Sequence, residues 1–350
     1  MSRSPSDPSL RRETHVPTLA DVAALAKVST ATVSRCLNEP ERVGEATRKR
    51  VLEAVETLGY APNFSARALA AKRTNTVGAV IPTMENAIFA RAIQSFQEAL
   101  DRHGITLLVA SSSYSEAREA DQIRTLVARG ADGLLLIGYH RDESLYQFLE
   151  TRGVPTLVAW SFDPTQQRTA IGFDNAAAMD RLARTAIGMG HRRIGFVSAE
   201  VASNDRAKGR VAGLHRAMDA IGIPRDQLTF VETQYGFEAG AEAVQDILRR
   251  APDTTLVLCG NDVLAVGAIR GATAMGLAVP DDLSITGFDD IEVAQLSQPA
   301  LTTVHVPHRE MGRRAAETLV EMINSDTMPD SIELETEICL RGSLAGPRTA

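Results

Sequence analysis

Seven short apolar runs constrain the fold more than any other feature of the chain. They are TVGAVIP, which begins at Thr76, then ITLLVAS, DGLLLIG, VPTLVAW, RRIGFVS, TTLVLCG and LSITGFD, which ends at Asp289. Runs of nearly continuous hydrophobicity are typical of buried parallel strands, and most of the stretches between them suit crossover helices. The alternation predicts an α/β body of doubly wound parallel sheets.

The predicted body spans residues 76–341. Because that length exceeds what one sheet comfortably takes up, we expect two similar lobes with a ligand cleft between them. Ligand contacts in such folds come from loops at the carboxyl ends of strands, where this sequence places polar and aromatic residues.

Charge is distributed unevenly along the chain. Residues 1–75 carry 12 Lys and Arg against 8 Asp and Glu, a net charge of +4, whereas the remainder carries 25 against 36, a net of −11. A basic head can approach phosphates, while an acidic body keeps the molecule soluble and repels non-specific contacts.

The composition argues against several classes of protein. No run of about twenty apolar residues occurs, and the first residues lack the apolar stretch of a secretory signal, so we expect a cytoplasmic protein without a membrane partner. Cys36, Cys259 and Cys339 are far apart and form no CxxC pair. We therefore expect small buried or half-buried thiols, with no disulfide framework, no metal site and no cofactor.

Three helix patterns occupy the basic head. Thr18 and Asp21 have the spacing of a capping box, Ser29 is placed to cap a second helix, and Gly59 to end a third. The apolar positions expected to pack together are Leu19, Val22, Ala23, Ala26, Val33, Leu37, Val51, Leu52, Val55 and Leu58. Three short helices with a tight turn between the first two indicate a helix-turn-helix unit, although a small bundle with a merely solvated polar face fits the same pattern.

The stretch TLADVAALAKVSTATVSRCLNEPERVGEATRKRVLEAVETLGYAPNFSARALA resembles the DNA-binding head of the lac repressor (LacI) family. The resemblance implies a disordered tail over 1–16, a helix-turn-helix domain over 17–62, and a hinge helix with linker over 63–75. It also implies that Thr30, Ala31 and Arg35 read base edges in the major groove. The side chains it assigns mainly to phosphates are Thr18, Ser29, Thr32, Ser34, Asn38 and Tyr60.

The hinge segment is short and alanine-rich, so it should not be helical alone in water. In the family it becomes a helix when two copies meet in the minor groove of an operator. By resemblance Asn63 belongs to this element, Ala66 permits close approach, and Leu69 is the wedge that kinks the duplex. A passive linker is the alternative.

The body is identified as similar to the same family, and through it to the periplasmic sugar-binding fold. The motifs that carry the resemblance are GADGLLLIG, GFDN, GHRRIGFVS, GRVAGLHRAM, NDVLAVGAIRGATAMGLAVPDDLSITGFDD and PALTTVHVP. The resemblance implies a first lobe of about 76–173 and 301–335. The second lobe takes about 174–300 and the C-terminus.

Eight effector-binding residues follow from that resemblance. They are Ile88, Phe89, Trp160, Arg206, Arg210, Tyr235, Asn261 and Asp289. An aromatic ring suits the C–H face of a sugar, Asn and Asp suit vicinal hydroxyls, and Arg suits hydroxyls or a carboxylate. Each has a structural alternative: Phe89 and Trp160 as core, Asp289 as a turn cap, and Arg206 as solvated surface.

At two positions the residue differs from that of better-known family members, so the identity of the effector stays open. Trp160 stands where several sugar repressors have an aspartate, and Gly138 stands where the lac repressor has an asparagine. Trp160 followed by serine, with GFDN downstream, resembles the gluconate-type members. We therefore favour a sugar acid slightly over a neutral sugar, and either over a purine.

The expected function is that of an effector-responsive regulator, a repressor of a carbohydrate or sugar-acid catabolic operon. Its partners are double-stranded DNA with a pseudo-palindromic operator and a second copy, because the tail CLRGSLAGPRTA lacks the leucine heptads of a tetramer. A solute-binding protein is disfavoured by the basic head. An enzyme is disfavoured because GxSxG, GxxxxGK[ST] and GxGxxG motifs are absent and no catalytic residue stands out. The histidines expected at the surface or in turns are His103, His140, His191, His215, His305 and His308.

Overall fold

The computed structural model describes residues 16–61, 73–85, 87–325 and 328–348. Its contacts divide the chain into two units, Met1–Thr74 and Asn75–Ala350. The expected tail over 1–16 lies outside the described residues except for Val16. Asn63, Ala66 and Leu69 also lie outside them, so the assignment of a hinge to this segment stays a prediction.

The described part of the first unit contains three α-helices whose ends match the predicted caps. They are α1 (Leu19–Ala26), α2 (Thr30–Asn38) and α3 (Glu45–Leu58), with a 3₁₀ turn at Pro40–Arg42. The Asp21 amide donates to Thr18 Oγ1 at 3.3 Å and the Thr18 amide donates to the Asp21 carboxylate at 2.8 Å, which confirms the capping box. Ser29 accepts from the Thr32 amide at 3.1 Å, and Gly59 has φ +62°. Each side-chain cap stabilises its helix by about 1 kcal/mol.

Apolar residues of all three helices meet in one small core. Val22, Val33 and Val51 are fully buried there. The expectation that Leu52 is buried is wrong, because it is 49% exposed and Ala54 takes the inward position. On α3 the spacing 51, 54, 55, 58 follows one helical face, and residue 52 turns about 100° away from it.

The second unit contains a six-stranded, entirely parallel sheet. Its strands are β1 (Thr76–Ile81), β2 (Thr106–Ser111), β3 (Gly133–Ile137), β4 (Thr156–Ala159), β5 (Ala170–Gly172) and β11 (Ile332–Glu333). Their order is β11-β5-β4-β3-β1-β2. We call this sheet and its helices the first lobe.

A four-stranded parallel sheet forms the second lobe of the same unit. Its strands are β6 (Ile194–Ser198), β7 (Leu228–Glu232), β8 (Leu256–Cys259) and β9 (Ser284–Thr286), in the order β7-β6-β8-β9. A separate antiparallel ribbon pairs β10 (Thr303–His305) with β12 (Glu337–Cys339). All seven predicted strands are confirmed, whereas β5, β7 and β10–β12 were not predicted.

Helices cover the sheets in packed pairs. They are α4 (Ala87–Asp101), α5 (Glu116–Ala128), α6 (Glu143–Thr151), α7 (Asn175–Gly188), α8 (Asp205–Ile221), α9 (Phe237–Arg250), α10 (Asp262–Ala274), α11 (Glu292–Leu296) and α12 (His308–Asn324). The closest pairs are α4 with α12, α7 with α8, and α9 with α10. The predicted doubly wound α/β body is thereby confirmed.

One predicted strand is not buried. β2 lies at the edge of the six-stranded sheet, and Leu108 and Val109 are 38% and 37% exposed. A run of continuous hydrophobicity therefore marked an edge strand as well as central ones, because periodicity alone does not separate the two.

The predictions for the three cysteines are confirmed, whereas those for two histidines are wrong. Cys36 and Cys259 are buried and Cys339 is half-buried, all as free thiols, as predicted. The expectation for His191 and His308 is wrong, since they are 1% and 4% exposed. His191 is held between Thr255 Oγ1 at 2.9 Å and the Ala345 carbonyl at 2.8 Å, and such pairing makes burial of an imidazole tolerable. None of the helices in the described part of the chain combines the length and apolarity of a membrane span.

Candidate functional site

The solvent-facing side of α2 carries the residues expected to contact DNA. Thr30, Ala31 and Arg35 are all exposed, and no hydrogen bond or ion pair among the described residues engages Arg35. The other exposed members of the predicted set are Thr18, Ser29 and Asn38, and the half-buried ones are Thr32, Ser34 and Tyr60. An α-helix with such a face fits the major groove, which admits one helix.

Local hydrogen bonds already engage part of this set. Ser29 Oγ lies 2.9 Å from Thr32 Oγ1, and Asn38 Nδ2 donates to Ser34 Oγ at 3.3 Å. Tyr60 packs against the core of the head. These contacts fix side-chain positions on the helix, and the phosphate roles of these residues stay predictions.

Arg35→Ala is expected to remove discrimination at one base pair per half-site, worth about 1–3 kcal/mol, because a guanidinium can bond guanine with two hydrogen bonds. Binding to a randomised operator library measures it. Lys49→Ala, which removes an exposed cation from α3 of the same head, is the matched control and should leave base preference unchanged. A uniform loss with Arg35→Ala would assign that residue to phosphate instead.

The predicted effector residues lie where strands of both sheets end or helices begin. Trp160 follows β4, Asn261 follows β8, and Asp289 follows β9 by three residues. Ile88 and Phe89 begin α4, Arg206 and Arg210 lie in the first turns of α8, and Tyr235 precedes α9. Trp160 has φ +62° and Asp289 has φ +105°. Left-handed backbone in such residues costs about 1–3 kcal/mol each and is concentrated at functional sites.

Arg210 is the centre of a network that reaches two of these residues, Asp289 directly and Trp160 through Asn175. It is 5% exposed, its Nε donates to Asn175 Oδ1 at 3.0 Å, and its Nη1 donates to the Gly260 carbonyl. The guanidinium carbon lies 4.1 Å from the centroid of the Phe288 ring. Asn175 in turn donates to the Trp160 carbonyl at 3.0 Å, so the aromatic and charged parts of the site are connected.

Asp289 is a buried carboxylate without a hydrogen-bond donor among the described residues. It is 1% exposed, and Arg210 Nη2 lies 3.8 Å from its Oδ1, within ion-pair range but too far for a hydrogen bond. Burial raises the pKa of Asp289 to about 7, and the charges of Arg210 and Arg206 only partly offset that effect. Two unused acceptor oxygens side by side suit a pair of hydroxyl donors.

Three further buried polar atoms of residues at these strand and helix ends lack partners in the described structure. They are Asn261 Nδ2, Trp160 Nε1 and His308 Nδ1. Burial lowers the pKa of His308 to about 4, so its ring is neutral, and its Nε2 lies 3.2 Å from the Asp289 carbonyl. Leaving a buried polar group unpaired costs about 1–3 kcal/mol, so a cluster of them indicates a site for a polar ligand.

Aromatic rings border the site on two sides. The Phe89 and Trp160 centroids are 5.1 Å apart in an edge-to-face arrangement. Tyr235 lies 5.4 Å from Tyr114, which sequence analysis missed. Burial raises the pKa of Tyr114, the charges of Tyr235 and Asp289 raise it further, and the charge of Arg206 lowers it. Tyr114 follows β2, so its position at a strand end is the signal that could have identified it.

The structure tests the structural alternatives that the sequence left open for single effector residues. Ile88, Phe89 and Trp160 are all part of the main hydrophobic core, so core packing and a place beside the site apply to the same side chains. Arg206 is not solvated surface, because its side chain is 11% exposed. Asp289 does not cap a turn, because neither oxygen of its carboxylate accepts a hydrogen bond from the described residues.

Asp290, next to Asp289, has the opposite environment. It accepts from Arg341 Nη2 at 2.7 Å and lies 2.9 Å from His305 Nδ1. Burial alone would raise its pKa, but the bonds from Arg341 and His305 outweigh that and lower it. Asp290 therefore anchors the β10–β12 ribbon, while Asp289 is left for a ligand.

One sizeable cavity of the second unit does not coincide with these residues. It has a volume of about 430 Å³ and is lined by the start of α7 and the segment after β11, including Arg181, Glu333 and Glu335. None of the eight predicted effector residues lines it. The buried unpaired polar atoms make their surroundings the candidate site, because such atoms require a chemical explanation that an acidic surface cavity does not. Among the described residues, no group of three or more His, Cys, Asp or Glu is placed to hold a metal ion.

Comparison with known proteins finds a matching family model for each of the two units. Residues 18–63 match the model of bacterial regulatory proteins, lacI family, and residues 183–344 match a periplasmic binding protein-like domain. The chain is 33% identical to catabolite control protein A of Priestia megaterium over 90% of this chain and 95% of that one.

Solved structures are similar over nearly the full length. A complex of the transcriptional regulator CelR with cellobiose has a TM-score of 0.69 and 31% identity, covering 93% of this chain and 99% of that one. A lac repressor dimer bound to operator and the anti-inducer ONPF has a TM-score of 0.83 and 25% identity, covering 94% and 99%.

Proposed function

The chain belongs to the LacI family of bacterial regulatory proteins and is a DNA-binding transcriptional regulator rather than an enzyme, and on that premise we propose that it represses a carbohydrate or sugar-acid catabolic operon. The head binds a pseudo-palindromic operator in the cytoplasm through α2. A small polyhydroxylated effector binds between the two lobes and changes the affinity for that operator.

One observation carries the choice of effector. Asp289 presents two unpaired carboxylate oxygens with Arg210 at 3.8 Å, and Asn261, next to the Gly260 carbonyl that Arg210 bonds, has an unpaired Nδ2. Acceptors and donors in this combination suit adjacent hydroxyl groups of a sugar or sugar acid. The cellobiose complex of the similar regulator CelR supports a sugar. The resemblance to gluconate-type members stays a prediction.

The oligomeric state follows from the same premise. We assign a two-fold homodimer, supported by the similarity to an operator-bound lac repressor dimer. The exposed Leu108 and Val109 on the edge strand β2 offer apolar surface that a second copy can cover. The lobe limits of about 76–173 with 301–335, and about 174–300 with the C-terminus, are part of this proposal.

Screening sugars and sugar acids by thermal shift tests the assignment. A ligand of the folded state raises its melting temperature by mass action, and each hit is then added to an operator-binding titration. Asn261→Ala is the matched variant, since it removes the unpaired amide. If no polyhydroxylated compound raises the melting temperature, the effector class is wrong.

Effector affinity is expected to rise about tenfold from pH 6 to pH 8, with a midpoint near 7. The pKa of Asp289 is raised to about 7, so its carboxyl group is mostly protonated at pH 6 and offers hydroxyl donors a full pair of acceptors only at higher pH. Calorimetry with a screened hit measures the profile, and Asp289→Asn should flatten it. Affinity that falls with pH would mean that an acidic group of the effector lies against Asp289.

A further inference from the structure

The two lobes are connected by direct hydrogen bonds at one edge of the site. Asp205 and Arg206 begin α8 in the second lobe, and Ile137 to Tyr139 end β3 in the first. The Tyr139 amide donates to Asp205 Oδ2 at 2.8 Å, and Arg206 Nη1 donates to the Ile137 carbonyl at 3.1 Å. Arg206 Nη1 also lies 2.9 Å from Asp205 Oδ1, so the two side chains hold each other in place.

Gly138 makes this arrangement possible. It has φ +71°, and a Cβ added there would overlap Nη1 of Arg206 and the carboxylate of Asp205. The guanidinium therefore occupies space that any side chain at position 138 would take.

The location ties these bonds to the cleft. Arg206 and Asp205 line a cavity together with Ser112, Tyr114, His140 and Ser203. The Tyr114 and Tyr235 rings, one from each lobe, meet 5.4 Å apart beside it. Separation of the lobes at this edge has to break both hydrogen bonds and the ring contact.

We infer that Asp205 and Arg206 form a latch that holds the second lobe against the end of β3, and that Gly138 is the residue that admits it. The latch biases the body toward a closed cleft through contacts of the protein alone. The latch itself does not depend on the proposed function. Only its effect on regulation does, because an effector then shifts an equilibrium between open and closed clefts that the latch helps to set.

Distances between spin labels on the full-length protein test the latch without effector or DNA. Cysteines replace the exposed Asp121 on α5 and Glu242 on α9, in a Cys339→Ser background and diluted with unlabelled protein. Asp205→Ala and Gly138→Ala should each raise the ratio of long to short distances about tenfold, as expected for loss of a charge-assisted hydrogen bond.

Gly153→Ala is the matched control. Gly153 has φ +62° in the same lobe, and an added Cβ there meets nothing within 4 Å. It should share the backbone strain of Gly138→Ala and leave the distances unchanged. Unchanged distances in both latch variants, or an equal change in Gly153→Ala, would overturn the latch. Neither result would affect the proposed function, since operator and effector are absent from the experiment.

Discussion

Arg210→Ala is expected to lower the free energy of unfolding by about 3 kcal/mol, since breaking a buried ion pair leaves an uncompensated charge. Arg210 is 5% exposed and loses its bonds to Asn175 and the Gly260 carbonyl together with its contact on Phe288. Asp289 remains buried without its cation. Denaturant titration of the purified variant measures the loss.

The unfolding free energy that Arg210→Ala loses should be larger at high pH than at low pH. Without Arg210 the ionised form of Asp289 is more costly, whereas the protonated form, favoured at low pH, is not. The destabilisation is therefore smaller at pH 6 than at pH 8. Arg216→Ala removes an exposed arginine from the same helix and should change stability by less than about 0.5 kcal/mol. Equal effects of the two variants would contradict the central position of Arg210.

We propose that Arg210 both braces the fold and binds the effector. Arg210 connects Asn175, next to β5, with the loops after β8 and β9. We expect Arg210→Ala to lose the response to effector as well as stability, so its operator affinity has to be measured at a temperature where the variant is folded. Asn261→Ala separates the two roles better, because Asn261 Nδ2 bonds to nothing in the described structure. Its Oδ1 accepts from the Leu264 amide at 2.9 Å and caps α10, so the variant should lose only about 1 kcal/mol of stability.

Operator affinity is expected to fall at least about a thousandfold between 50 and 200 mM salt. Residues 1–75 carry a net charge of +4, and a dimer presents two such heads to a polyanion. Roughly six or more phosphate contacts release counterions, which gives a slope of about −5 in a plot of log affinity against log salt. Titration by fluorescence anisotropy at several salt concentrations measures it.

The net charge of the body indicates which part of the protein produces that slope. Its net charge is −11, so long-range attraction cannot come from residues 76–350. The slope for Lys49→Ala should be less steep by about one if that exposed residue contacts a phosphate. A slope near zero for the wild-type protein would remove the DNA-binding role from the head.

Periodic signals explain why so much of the fold was predictable. The runs that form β1, β3, β4, β6 and β8 are buried along nearly their full length, which makes their hydrophobicity continuous. β5 has three residues and β11 has two, too few for a pattern to appear. β7 lies at a sheet edge and ends in Glu232, so its apolar run is interrupted.

The site was predictable only in part, for a different reason. Resemblance predicted that Arg210, Asn261 and Asp289 share one cleft. In the structure Arg210 lies 3.8 Å from Asp289 and bonds the carbonyl of Gly260, the residue before Asn261. Tyr114 and His308 join it only through folding, because they come from separate strand and helix ends. Burial of His308 depends on its neighbours in space, so nothing in PHRE distinguishes it from a surface histidine.

The latch also lies beyond sequence patterns. It consists of backbone atoms of Ile137 and Tyr139 bonded to side chains of Asp205 and Arg206. Backbone donors carry no residue identity, and the only sequence trace of the contact is a glycine at position 138.

Operator titration with and without a screened effector tests the central claim most directly. The full-length protein is titrated against an operator selected from a randomised duplex library, and the measurement is repeated with a saturating hit from the sugar screen. We predict that the effector changes the operator Kd by about 5- to 150-fold in the wild-type protein. For Asn261→Ala, adding the effector at the same concentration should leave the operator Kd unchanged. A compound that binds the cleft tightly and leaves the wild-type operator Kd unaltered would contradict the account.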